Sequence, residues 1–298
     1  MITNLVLGVL GIFTTGFAVV FGKDLVKHKD QFEEETSSAI TGIIGFVVNF
    51  FDTLGIGSFA PTTAALRAFK QTKDKVIPGT LNVSCTIPVV IEAFMFISAI
   101  EVEPLTLISM LAAAVVGAVV GAGIVSKLPE KTIQLVMGIA LLATALLMFA
   151  GQVGWIANLG TGEAIGLSGI KLIIAIVGNF ILGTLMTAGI GLYAPCMALV
   201  YMLGMSPRVA FPIMMGSCAF LMPAASIKFV KEGAYNRKAS LAITIGGVIG
   251  VFIAAYLVKS LPLNILTWLV IVVVTYTGIT LLRDSRKPVE VSAIENNA

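Results

Sequence analysis

Residues 55–61 read GIGSFAP and residues 189–195 read GIGLYAP. Each stretch interrupts a long apolar run, and each combines the residue that tolerates any backbone conformation with the residue that ends a helix. The two copies are in register with more than themselves. Gly55, Gly57 and Pro61 fall on Gly189, Gly191 and Pro195 at a shift of 134 (191 − 57), and Pro78 falls on Pro212 at the same shift. Farther along, SKLP ending at Pro129 meets KSLP ending at Pro262, a shift of 133. A motif identity followed by matching prolines across half a chain indicates an internal duplication.

The surroundings of the two motifs set their environment. Of 298 residues, 57% are hydrophobic and 12% charged, about half the charged share of a soluble domain. The expected class is an all-α polytopic membrane protein. Residues 1–22 lack a basic start and a small-residue cleavage site, and they read as a retained transmembrane helix. A first membrane repeat then covers 39–151, a polar linker 152–170, a second repeat 172–282, and a tail 283–298.

The loops predict an orientation. Arg67, Lys70, Lys73 and Lys75 form one basic cluster; Lys228, Lys231, Arg237 and Lys238 form a second; Arg283, Arg286 and Lys287 form a third. Such clusters collect on the cytoplasmic side, which also puts the C-terminus there; Lys171 and Lys259 run weakly against the pattern. Five apolar segments separate the first two clusters, so one of them must fail to cross. The segment 172–206 would be about 50 Å long as one helix, against a hydrocarbon core of about 30 Å. Folded back at GIGLYAP it becomes a hairpin that enters and leaves on one face, and 39–66, broken at GIGSFAP, does likewise. Each half then has one broken hairpin and three crossings, an odd total. The halves are therefore expected to lie upside down relative to each other, in an inverted-topology repeat preceded by an extra N-terminal helix.

Irregular backbone at membrane depth is tolerated where it lines a cavity or is shielded by protein. A helix that restarts there offers free N–H groups and a positive dipole end to an anion. Candidate substrate contacts are therefore Gly55, Gly57, Ser58, Pro61 and Thr62 in the first copy, and Gly189, Gly191, Tyr193, Pro195 and Cys196 in the second. The competing reading of the glycines is close helix packing. Asn49, Asn82, Ser84, Thr187 and Ser217 are candidate polar lining or interhelix bonds. Two carboxylates, Asp52 and Glu92, stand inside apolar runs, where an ionisable group is costly and a functional role is the default expectation. Their counterparts at a shift of 134 are Met186 and Ser226, so the pair breaks the repeat, as proton-coupling residues would.

Other chemistries find no support in these residues. Cys85, Cys196 and Cys218 lie in apolar runs without ligand spacing, and His28 is the single histidine, so no metal site is expected. The chain has no phosphate-binding loop, no hydrolase elbow and no zinc-protease motif, which argues against an enzyme or a cofactor. Its basic residues form no aromatic-interleaved stripe, so nucleic acid is not an expected partner. The expected partners are a small anionic solute and membrane lipid.

The duplicated glycine break ending in proline, followed by KVIPGTLNVS in one half and RVAFPIMMGS in the other, resembles the sulfite exporter TauE/SafE family of bacterial membrane transporters. The resemblance runs from about residue 39 to 282. It implies movement of sulfite, an organosulfonate or a similar oxyanion across the cytoplasmic membrane. Coupling to the proton gradient is the expected mechanism, and a passive anion channel is the alternative.

Overall fold

A computed structural model describes residues 2–125, 130–155, 163–186 and 192–286. Among these residues there is no strand, only an isolated bridge between Ala164 and Met205. The helices are α1 Ile2–Lys27, α2 Ser38–Thr53, α3 Phe59–Ala68, α4 Ile77–Ala99, α5 Pro104–Val125 and α6 Glu130–Gln152, then α7 Gly169–Met186, α8 Tyr193–Met202, α9 Ala210–Glu232, α10 Arg237–Ser260 and α11 Leu263–Ser285. Seven of them, α1, α4, α6, α7, α9, α10 and α11, are long and apolar enough to cross a membrane. With 16 and 10 residues, α2 and α8 are shorter than a crossing requires.

α1 runs five residues past the predicted end at 22. Its last turns carry Asp24, which accepts from Arg237 Nε at 2.7 Å and from the Tyr235 hydroxyl at 2.6 Å, so the charged end is held by protein. His28, expected in a polar loop, follows that helix and lies 3.1 Å from Asp24.

The 134-residue shift carries helix bounds as well as motifs. It takes 59–68 onto 193–202, the residues of α3 onto those of α8. Packing repeats too. α2 lies on α10 through glycines: a Cβ at Gly45 would strike the Ile243 backbone, one at Gly246 the Gly42 carbonyl, and one at Gly250 the Phe46 carbonyl. α5 lies on α7 in the same manner, with Gly117 against the Phe180 carbonyl and Gly183 against that of Ala114. Phe46 and Phe180 are 134 apart, Gly117 and Gly250 are 133 apart, so equivalent residues make equivalent contacts. Small residues let backbones meet closely where lipid offers no hydrophobic drive for association. Between these two layers α4 packs on α9, joined by a 2.7 Å bond between Thr86 Oγ1 and Ser226 Oγ.

Both broken segments close at their bases. The chain entering α2 is tied to the chain leaving α3: Ser37 N donates to Gln71 Oε1 at 2.7 Å and Thr36 Oγ1 to the Gln71 carbonyl at 2.8 Å. Likewise Ser206 N, just past α8, donates to the carbonyl of Ala164, just before α7, at 2.9 Å. The two bases sit at opposite ends of α10. Asn236, its N-cap, donates Nδ2 to Thr36 Oγ1 at 2.8 Å in the first base. At its other end the Leu261 carbonyl accepts from Arg208, two residues past Ser206, at 2.9 Å. With 24 residues, α10 separates the bases by about 36 Å.

Candidate functional site

Five residues, Leu54 to Ser58, separate α2 from α3. Two of them need glycine: Gly55 has φ +96° and Gly57 φ +90°, in the left-handed region that L side chains rarely enter. The turn lets Gly55 N donate to the Asp52 carbonyl at 2.7 Å and Ile56 N to that of Phe51 at 3.2 Å, so the last carbonyls of α2 are satisfied. α3 then starts at Phe59 with no side-chain cap from its N-cap residue Ser58. The corresponding tip of the second hairpin, including the candidate residues Thr187, Gly189 and Gly191, lies outside the described residues; α8 starts at Tyr193.

Both restarted helices open on one cavity of about 190 Å³. From the first hairpin it is lined by Asp52, Ile56, Gly57, Ser58, Phe59, Ala60 and Pro61, and from the second by Met186, Leu192, Tyr193 and Ala194. Asp52 and Met186, equivalent at the shift of 134, both line it. Cys218 and Met222 on α9 and Val89 on α4 complete the inner wall. The cavity also runs along α11, past Tyr276, Thr277, Thr280 and Asp284, with Gln134 of α6 in its wall. No lysine or arginine is among these residues. The wall carries the first turns of the two helices and the hydroxyls of Ser58, Tyr193, Thr277 and Thr280, of which Ser58 already bonds Asp52, Tyr193 bonds Glu92 and Thr280 donates to the Tyr276 carbonyl at 2.9 Å.

The carboxylates hold distinct positions. Asp52 is 1% exposed and faces the Ser58 hydroxyl and amide, while its Oδ2 has no hydrogen-bond partner. Glu92 is fully buried and does not line the cavity. Its Oε1 accepts from Thr53 Oγ1 at 2.7 Å and its Oε2 from the Tyr193 hydroxyl at 3.4 Å. Thr53 ends α2 and Tyr193 begins α8, so one carboxyl group touches both broken segments.

The remaining sequence candidates lie off the cavity wall. Gly55 packs against the Met197 methyl, Thr62 Oγ1 donates to the Ser58 carbonyl at 2.6 Å, and Cys196 is buried in the core on α8. Pro195 lines a separate apolar crevice between α6, α7 and α8. Asn49 and Asn82 donate to carbonyls one turn back, Gly45 and Pro78, at 2.8 and 2.9 Å. Ser84 Oγ donates to the Leu81 carbonyl of its own helix at 3.3 Å, whereas Ser217 Oγ accepts from Asn179 of α7 at 3.1 Å and so works between helices. Sequence reading missed Thr53, Gln134, Tyr276, Thr277, Thr280 and Asp284. The last set carried a signal, since 276, 280 and 284 recur at i, i+4 and i+8 and mark a polar stripe on an otherwise apolar helix.

A protein-family model described as sulfite exporter TauE/SafE matches residues 1–148 and 171–297. Searches among curated proteins and among solved structures found no match.

Proposed function

Because this chain belongs to the sulfite exporter TauE/SafE family, we propose that it is a secondary transporter of a small oxyanion such as sulfite or an organosulfonate, coupled to protons, in the cytoplasmic membrane. One observation carries the proposal: the first turns of α3 and α8 line the same cavity, and no lysine or arginine is among the described residues of its wall. Helix N-termini attract anions through their dipoles and unpaired N–H groups, and neutral donors release cargo more readily than a fixed cation would. The hairpin bases at opposite ends of α10 support an inverted repeat with its binding site near the membrane centre.

The cavity runs toward the C-terminal end of α11, where Arg283 and Arg286 stand. Basic clusters favour the cytoplasm for that end, so cargo would exchange there with the cell interior. Asp52 supplies the coupling. Its carboxylate occupies the Ser58 donors at the start of α3, and a bound anion would compete for them. A proton on Asp52 weakens its claim on those donors and removes a like charge from the cavity, so anion and proton bind together.

The test is flux of sulfite and of methanesulfonate in proteoliposomes with an imposed pH gradient. Accumulation of either anion against its own gradient, collapsing with a protonophore and lost in Asp52→Asn, is the expected result. Flux that only follows the anion gradient would identify a channel, and no flux of any sulfur oxyanion would remove the cargo assignment.

A further inference from the structure

Among the described residues, Tyr193 is the one that both lines the cavity and hydrogen-bonds Glu92. This contact breaks the repeat on both sides at once: at a shift of 134, Tyr193 corresponds to Phe59, which has no hydroxyl, and Glu92 to Ser226, which has no carboxyl. Phe59 lines the cavity as Tyr193 does, so the second half adds a hydroxyl at a position the first half fills with a ring alone. Glu92 itself is sealed from the cavity, and its other oxygen is taken by Thr53.

Resting on the transport reading above, we infer that Tyr193 is a proton-controlled donor to the cargo, switched by Glu92 behind it. The switch follows from hydrogen-bond stoichiometry. An ionised carboxylate only accepts, so the Tyr193 O–H points back at Glu92 Oε2 and turns a lone pair to the cavity. A neutral carboxyl keeps its Oε1 acceptor for Thr53 and donates its new O–H to the tyrosine oxygen. The phenol then swings its own hydrogen into the cavity, where an anion accepts it. The net change is one proton on Glu92 and one hydroxyl turned over; because Glu92 is sealed, that proton enters by way of the phenol, which hands its hydrogen to Oε2 and takes another from the cavity. Cargo binding thereby favours the protonated carboxyl, and protonation favours cargo.

The other titratable groups facing Glu92 are Asp52 on α2, Cys218 on α9 and Cys85 on its own helix. α1 and α10, which also pack on α4, carry formal charges only in their end turns, at Lys23, Asp24 and Lys27 and at Arg237, Lys238 and Lys259. Asp52 reaches the cavity directly through the first hairpin, whereas Glu92 reaches it through Tyr193. The two carboxylates thus serve one hairpin start each.

Infrared difference spectra of the full-length protein in lipid nanodiscs, taken on acidification without cargo, test the switch. The expected result is a carboxylic-acid C=O band absent from Glu92→Gln, accompanied by a shift of a tyrosine C–O stretch absent from Tyr193→Phe. A Glu92 band that rises with no tyrosine response, or a tyrosine response that survives Glu92→Gln, overturns the inference. Binding of methanesulfonate, which does not itself titrate in this range, gives the functional arm. Wild-type affinity should rise with acidity, by at most about tenfold per pH unit for each linked proton, that of Asp52 included. Tyr193→Phe should bind weakly with that dependence reduced. Glu92→Gln, whose amide donates to the phenol permanently, should bind well with the dependence likewise reduced, and the double variant should match Tyr193→Phe. A Tyr193→Phe protein with the full wild-type pH profile also overturns the inference. If the bands move together while wild type binds no sulfonate or sulfite, the switch stands and only the cargo assignment falls.

Discussion

Gly55 and Gly57 share a left-handed backbone for different reasons. Gly55 faces protein, and an added Cβ would strike the Met197 methyl, whereas Gly57 faces the cavity with nothing within 4 Å. Gly55→Ala should therefore cost the backbone penalty of about 1–2 kcal/mol plus a repacking term. Gly57→Ala should cost the backbone penalty alone and lower anion affinity by narrowing the cavity. Thermal unfolding in detergent, read beside binding, separates the two: the larger drop in melting temperature belongs to Gly55, the larger loss of affinity relative to stability to Gly57. Residues of this kind were legible in the sequence, since glycine close before proline in an apolar run marks a helix that stops and restarts. Asp52 and Glu92 were legible too, as charges where charge is costly. Thr53 was not, because threonine in a membrane helix usually bonds its own backbone one turn back. Thr53 does that too, and its single hydroxyl hydrogen is shared between the Asn49 carbonyl at 2.8 Å and Glu92 Oε1 at 2.7 Å.

Among the elements, the glycine seams joining α2 to α10 and α5 to α7 hold each broken hairpin against a long helix. Gly250→Leu and Gly117→Leu meet the Phe46 and Phe180 carbonyls, backbone that cannot rotate away. Each should destabilise by about 3 kcal/mol or more and reduce the yield of monodisperse protein, while Gly8→Leu on α1, with open space around it, should not; size-exclusion profiles of the three decide it. At the base of the second hairpin, Glu103 accepts from Thr106 Oγ1 and from the amides of Thr106 and Leu105, at the start of α5. Those bonds, Thr106 above all, hold its carboxyl below the usual glutamate range. A lowered folded value means the contribution is present above the unfolded pKa and is lost as pH falls through the folded one. Glu103→Gln should therefore flatten the acid side of the stability curve, checked by melting temperature across mildly acidic buffers. The existence and order of these helices followed from apolar length and charged punctuation. The partner of each helix did not, because glycine spacing marks a seam without naming what lies across it.

For the whole molecule, the sequence carried the duplication and the hairpins, while the cavity needed three dimensions. Pro61 and Pro195 illustrate the difference. They are equivalent in register and both sit in the first turn of a restarted helix, yet Pro61 lines the cavity and Pro195 lines the neighbouring apolar crevice. The repeat fixes where the helices start, and the departures from it, Tyr193 for Phe59 and Glu92 for Ser226, give the two sides of the cavity different chemistry. A transporter made of two similar hairpins works only if they reach the centre from opposite faces, so that opening one base closes the other. Single cysteines at Lys73, beside the first base, and at Ser168, beside the second, both exposed, in a background with Cys85, Cys196 and Cys218 replaced by alanine, test that arrangement through labelling of intact cells with a membrane-impermeant maleimide. Labelling at 168 from outside and at 73 only after the membrane is opened is the expected result; both sites reacting from the same side would contradict it.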